Sequence, residues 1–97
     1  MEYMLYLTEE AEAALMSLPV AHRQKLYRRI AMMMVGHFPD VRPLGSGLLE
    51  TRIHSGPGIR LYYAWYQGQI VILLVGTKHH QEADIVRAKN LFRNLKE

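Results

Sequence analysis

Hydrophobic and polar residues alternate along two segments in the second half of the chain. In LLETRIH (48–54) and IRLYYAWY (59–66), side chains on one face are mainly apolar or threonine, and polar side chains collect on the other. A period of two residues is typical of strands with one buried face. Residues 69–75 instead form a nearly unbroken apolar run, which favours a central strand covered on both faces.

The pairing of the first two strands follows from their apolar faces. If those faces coincide, Ile53 opposes Ile59 across the turn 54–58, because a slip of one residue would bury an arginine. This register sets Arg52 beside Arg60. It also sets Glu50 beside Tyr62, and we expect all four of these polar positions to point away from the core.

The helical segments carry apolar residues at a spacing of three or four. Thr8 precedes three glutamates and resembles a helix N-cap, and this first helix should end near Pro19. Residues 19–35 predict a second helix, and a third begins at about Glu82. The second helix should turn four residues inward: Leu26, Ile30, Met33 and Met34. The first two helices should form a hairpin.

The remaining segments complete the fold class. Residues 2–7 suit a strand, and residues 36–47, which are rich in Gly and Pro, predict a loop. The resulting order is β-α-α-β-β-β-α. We therefore predict a single α+β domain over residues 1–97, with an antiparallel sheet, an N-terminal helical hairpin and a C-terminal helix.

Composition narrows the functional classes. The chain has 97 residues, 49% of them hydrophobic, which suits one domain with one core. It has no cysteine, which excludes disulfides and thiolate chemistry and fits the cytoplasm. The apolar run Ile70–Val75 is far shorter than the roughly 20 residues of a membrane span. The net charge of +3 matters only if cations cluster on one face.

Such a cluster is expected at one end of the sheet. The polar strand face and the sequence Lys78-His79-His80-Gln81 together suit phosphate chemistry, because attack by an RNA 2′-hydroxyl needs proton carriers and cations. Arginine grips two phosphate oxygens and stays charged. Tyr62 and Tyr66 are candidates for stacking on exposed bases.

Simpler interpretations fit the same spacing. Arginines and a glutamate on neighbouring strands commonly form an ion-pair cluster on a solvated face. His79 and His80 are also ordinary turn residues, and adjacent histidines without further spaced ligands are a weak zinc signal. His54, beside the turn, is often an idle surface residue. The basic segment HRQKLYRR predicts a solvated helix face, or a surface for a polyanion or an acidic partner.

The C-terminal half resembles a known family. Its motifs are Leu-Gly-x-Gly-Leu-x-Glu-x-Arg (44–52), Gly-Pro-Gly (56–58), Arg60, Tyr62-Tyr63, Lys78, Gln81, Asp84-Ile85 and Ala88. These are similar to the RelE/ParE superfamily of toxins, most of all to its HigB-like, phage-associated branch. The order of elements resembles that superfamily along the whole chain.

The resemblance implies a cytoplasmic toxin that cuts messenger RNA on the translating ribosome without a metal or cofactor. It also implies an antitoxin partner, often with a helix-turn-helix domain, through which the pair binds operator DNA. Arg52, Arg60 and Lys78 match positions that would act as cations on the scissile phosphate.

The remaining site assignments go beyond the matched positions. Thr77 stands where an acid is common, and His79 and His80 replace small polar residues, so we expect one of the histidines to carry a proton. The expected RNA contacts are Glu50, His54, Tyr62, Tyr66 and Gln81.

Two other functions fit the resemblance. Related ParE toxins poison DNA gyrase by binding and cleave nothing. A catalytically silent relative could be retained for binding the antitoxin and operator. The cationic cluster at the strand end favours the nuclease, because a binding toxin would tolerate losing Arg60 and Lys78.

Overall fold

The computed structural model describes residues 2–97. Its strands are β1 (Leu5–Leu7), β2 (Val41–Gly45), β3 (Leu48–Ile53), β4 (Ile59–Tyr66) and β5 (Gln69–Thr77). Its helices are α1 (Glu9–Met16), α2 (Val20–Met34) and α3 (Gln81–Lys96), and a 3-10 turn, Lys78–His80, joins β5 to α3. None of these helices has the length and apolar character needed to cross a membrane.

The strands form one five-stranded sheet in the order β1-β5-β4-β3-β2. Only β1 runs parallel to its neighbour, and the other pairs are antiparallel. The predicted register of β3 and β4 is confirmed, with Ile53 opposite Ile59 and Arg52 opposite Arg60. The predicted α+β architecture is confirmed with it.

Strand β2 corrects the prediction of a loop over residues 36–47. The order of elements becomes β-α-α-β-β-β-β-α. Pro43 and Gly45 are atypical of strands, so the sequence pattern did not predict β2. The strand lies at the sheet edge, where a proline need not donate a backbone hydrogen bond to a neighbouring strand. A register shift between these two residues accommodates them.

The helical hairpin covers one face of the sheet. Thr8 caps α1 as predicted, since its hydroxyl accepts from the Ala11 N–H at 3.0 Å. The same hydroxyl donates to the Leu73 carbonyl at 2.7 Å, which ties α1 to β5. The buried residues of this face are Ala11, Leu15, Leu26, Met33, Ile53, Ile59, Leu61, Tyr63, Ile70, Ile72 and Val75.

Two large apolar side chains are exposed to solvent. Met34 is 40% exposed at the end of α2, although the helical period placed it inward. Trp65 is 38% exposed because it lies near the end of β4, where its ring meets the edges of Tyr3 and Phe38 at centroid distances of 5.0 and 5.5 Å. An aromatic cluster therefore closes this rim of the core.

Helix α3 covers the opposite face, and this corrects the expectation that the polar strand face is solvated. Glu50 and Tyr62 are 0% exposed and Arg60 is 6% exposed. The apolar stripe of α3 packs on this face, so that β5 is buried on both sides as predicted. The second core consists of Leu48, Tyr62, Ala64, Val71, Leu73, Leu74, Ala88 and Phe92. Charged strand residues consequently lie at the edge of a core rather than on an open surface.

Candidate functional site

A cavity of about 570 Å³ opens at one end of the sheet. Because β3, β4 and β5 are antiparallel neighbours, the end of β3, the start of β4 and the end of β5 meet there. Five residues predicted for the site line this cavity: Arg52, His54, Arg60, Lys78 and His79. The fold thus brings three cations from three strand ends to one opening.

The turn between β3 and β4 joins two of these cations. The Gly58 N–H donates to the Ser55 carbonyl at 3.0 Å. The Gly58 carbonyl accepts from the Lys78 N–H at 2.9 Å and faces Arg60 Nη1 at 3.5 Å. Gly58 has φ +80°, and a Cβ there would lie 3.3 Å from Arg60 Nη1. Glycine therefore supplies both the left-handed backbone and the space that Arg60 occupies.

Arg60 is a buried cation without a counter-ion. Within residues 2–97, its Nε atom has no hydrogen-bond partner, and no carboxylate forms a salt bridge with its guanidinium. Among the described residues, its guanidinium has one hydrogen bond, the long one to the Gly58 carbonyl. Burying a charge without a partner is costly, so an anion in the cavity would relieve this cost. Arg60 is therefore a candidate for contacting an anion in the cavity.

Arg52, in contrast, is held by Glu50. The carboxylate is fully buried and accepts from Arg52 Nε at 3.1 Å and from Gln81 Nε2 at 2.9 Å. Glu50 was expected to contact RNA, but its burial beneath α3 makes it a support for Arg52 and for the start of the helix. Gln81 lies at the edge of the adjoining cavity rather than in the main one.

A second cavity, of about 460 Å³, adjoins the first. Residues 78–83 line it, and Lys78 and His79 contribute to both openings. His80 lines only the second. All three residues of the 3-10 turn are exposed, which leaves their side chains accessible to a ligand.

The two tyrosines do not fit the expected stacking role. Tyr62 is fully buried, and its hydroxyl has no hydrogen-bond partner within residues 2–97. Burial first, then the charges of Glu50 and Asp84, raise the pKa of Tyr62 far above its ordinary value, so the phenol stays neutral. Tyr66 lies at the other end of β4, roughly 20 Å along the strand from Arg60. Neither ring presents a face to the cavity.

Asp84 approaches the sheet beside the site. Its carboxylate lies against Gly76, the partner of Arg60 in the β4–β5 ladder, where no Cβ would fit. Burial raises the pKa of Asp84, and the positive charges of His80 and Arg87 oppose this shift. Gly76 therefore serves close packing between α3 and β5.

Sequence reasoning missed Ser55 and His22. Ser55 lines the main cavity, and its Oγ lies 2.5 Å from His22 Nδ1 on α2. The histidine ring packs against Gly56, which has φ +52°. The Ser-Gly-Pro-Gly sequence signalled a turn, but no periodicity indicates which residue of a distant helix would rest on it.

No group of three or more His, Asp and Glu side chains within residues 2–97 is placed to hold a metal ion. The site is therefore described by its cations, histidines and glycine turn.

Comparisons of the sequence place the chain among phage-related proteins. The family described as "Phage derived protein Gp49-like (DUF891)" matches residues 13–93. A protein of Haemophilus influenzae, named only as uncharacterized, is 38% identical over 74 residues, which is 75% of each chain.

Solved structures share the fold. The E. coli toxin RelE, as a mutant in the free state, matches with a TM-score of 0.73 at 20% identity, over 93% of this chain and 98% of that one. The archaeal RelE–RelB complex from Pyrococcus horikoshii gives 0.60 at 22% identity, over 80% and 97%. The architecture derived above is therefore the RelE fold.

Proposed function

Because the chain belongs to the phage-derived Gp49-like family and has the RelE fold, we propose that it is the toxin of a type II toxin–antitoxin system and cleaves messenger RNA. The observation that carries this proposal is Arg60, a buried cation without a counter-ion within residues 2–97, in a cavity shared with Arg52 and Lys78. A phosphodiester carries the negative charge that would pair with it.

The chemistry we assign is attack by a ribose 2′-hydroxyl on the adjacent phosphorus. The hydroxyl loses its proton, the new O2′–P bond forms, and the bond from phosphorus to the 5′-oxygen breaks. Charge grows on the phosphate oxygens in the transition state, where Arg52, Arg60 and Lys78 stabilise it. The products are a 2′,3′-cyclic phosphate and a 5′-hydroxyl.

Histidines are the proton carriers in this proposal. His79 lines the cavity with the cations, and His54, on the turn between β3 and β4, lines it as well. Both are exposed, so solvent can exchange their protons between turnovers. His80 faces the adjoining cavity and is assigned to the flanking RNA. The neutral phenol of Tyr62 takes no part.

The proposed setting is the bacterial cytoplasm, with messenger RNA presented on the ribosome. We assign the chain to the HigB-like branch on the motifs of residues 44–88. Its proposed partner is a cognate antitoxin with a helix-turn-helix domain, through which the pair would bind operator DNA. The solved RelE–RelB complex supports a protein partner for a chain of this fold.

The test maps the 5′ ends of cellular messenger RNA after brief induction of the wild-type protein. The variant Arg60→Gln/Lys78→Met removes two cavity cations and keeps most of their stems. The control is Lys25→Met, an exposed lysine of α2 outside the cavity. Thermal melts of all three proteins establish folding.

New 5′-hydroxyl ends with the wild type and with Lys25→Met, but not with the double variant, support the proposal. Growth arrest without new ends would exclude the nuclease and favour a toxin that acts by binding, as ParE does on gyrase. Cleavage of purified RNA without ribosomes would remove the ribosome requirement.

A further inference from the structure

We propose that His22, on the first turn of α2, is a positioning residue for the cationic site. It reaches the site through Ser55 and does not itself line the cavity. The consequence for catalysis rests on the proposed nuclease function. The structural part of the inference concerns the turn alone and is tested separately.

The first step is the contact between His22 and Ser55. Nδ1 of the ring lies 2.5 Å from Ser55 Oγ, and Ser55 is 8% exposed. The helix end holds the histidine backbone, since the His22 N–H donates to the Pro19 carbonyl at 3.0 Å. The contact therefore joins a fixed helix end to the turn between β3 and β4.

The second step is the packing of the ring on Gly56. This glycine has φ +52°, and a Cβ at this position would overlap the imidazole. The ring thus rests directly on the turn backbone. Removing it takes away both a hydrogen bond and the surface that supports Gly56, which leaves the turn freer to move.

The third step leads from the turn to the cations. The Ser55 carbonyl accepts from the Gly58 N–H at 3.0 Å. The Gly58 carbonyl in turn accepts from the Lys78 N–H at 2.9 Å and lies 3.5 Å from Arg60 Nη1. A shift of Ser55 is therefore transmitted through Gly58 to both cations.

Small shifts of this kind have large kinetic effects. A misplacement of about 1 Å in groups that stabilise a transition state can cost on the order of 100-fold in rate. For the loss of one contact we expect a fall in kcat of about tenfold. KM should change less, because His22 does not itself line the cavity.

Amide hydrogen exchange, followed by NMR, tests the structural part. In His22→Ala and in Ser55→Ala, we expect the Gly58 and Lys78 amides to exchange about tenfold faster, as the loss of one partly buried hydrogen bond predicts. The double variant should match His22→Ala, because the histidine change already removes the contact that Ser55→Ala removes. The Leu61 amide, on β4, is the internal reference.

His22→Asn is the matched control. Its side-chain amide can replace Nδ1 as the partner of Ser55, so exchange should return most of the way to wild type. Unchanged exchange in His22→Ala, or fully additive effects of the two alanine variants, would overturn the proposal. These outcomes do not depend on whether the protein cleaves RNA.

Kinetics of RNA cleavage test the catalytic part. His22→Asn should restore most of kcat, and the pH profile should keep its wild-type shape in every variant. If the acidic limb of the profile disappears and Asn fails to rescue, His22 carries protons through Ser55 and the positioning role is refuted. Absence of cleavage by the wild-type protein would refute the proposed function and leave the exchange result standing.

Discussion

The Glu50–Arg52 pair gives the sharpest test of the energetics of the site. Glu50 is fully buried, whereas the side chain of Arg52 is 38% exposed. The two are joined at 3.1 Å, and Glu50 also accepts from Gln81 at 2.9 Å. We predict that truncating the more exposed partner costs more stability than truncating the buried one.

The expected magnitudes follow from what each variant leaves behind. Arg52→Ala leaves the buried Glu50 carboxylate without its ion-pair partner, which lowers the free energy of unfolding by about 3 kcal/mol. Glu50→Ala loses a charge-assisted hydrogen bond and the burial of the glutamate methylenes. These losses are partly offset, because the desolvation penalty of the carboxylate disappears and the Arg52 guanidinium can be hydrated. The net cost should be about 2 kcal/mol. For a domain of this size, a loss of about 2 kcal/mol in Glu50→Ala lowers Tm by about 8–16 °C.

The assay is urea denaturation at pH 7 on both single variants and the double variant. The double variant should cost less than the sum of the single ones, with a coupling of about 1–2 kcal/mol. Arg42→Ala, which removes an exposed arginine opposite Glu50 in the β2–β3 ladder, is the control and should cost under about 0.5 kcal/mol. Additive single effects would refute the reasoning, as would a larger cost for Glu50→Ala than for Arg52→Ala.

Three further predictions follow. Tyr62→Phe removes a buried hydroxyl without a partner and should raise stability by about 1 kcal/mol in denaturation curves, with RNA cleavage within about twofold of wild type; a loss of stability would contradict this. Because burial raises the pKa of Asp84, its ionisation opposes folding above the ordinary carboxyl range. Asp84→Asn should therefore raise Tm at pH 7 and have little effect at pH 3, in paired melts. Pyrophosphate should raise the wild-type Tm more than sodium chloride of equal ionic strength, and Arg60→Gln should lose this difference.

The location of the site could be predicted from the sequence because strand periodicity is short and strict. A period of two residues, together with the short turn 54–58, favours the register between β3 and β4 that brings Arg52 and Arg60 together at one sheet end. The order of antiparallel strands then adds Lys78. These inferences needed only local pattern and chain direction.

Burial on the second face could not be predicted in the same way. A strand face that carries Glu50, Arg60 and Tyr62 has the composition of a solvated surface, and only the position of α3 shows that it is covered. Strand β2 was not predicted because it contains Pro43 and has no clear alternation of apolar and polar residues. An edge strand tolerates both features. The His22–Ser55 contact could not be predicted from local sequence pattern because the two residues are 33 positions apart.

The two arginines of the site divide stability and binding between them. Arg52 has a carboxylate partner, so its charge is already neutralised and its guanidinium is held in place by Glu50. Arg60 is more deeply buried and has no such partner within residues 2–97, so its interaction energy remains available to a ligand. A second carboxylate beside Arg60 would stabilise the fold and neutralise the charge that we propose binds an anion. Under the proposed function, the unpaired charge is a cost in the free protein that a phosphate in the cavity would offset.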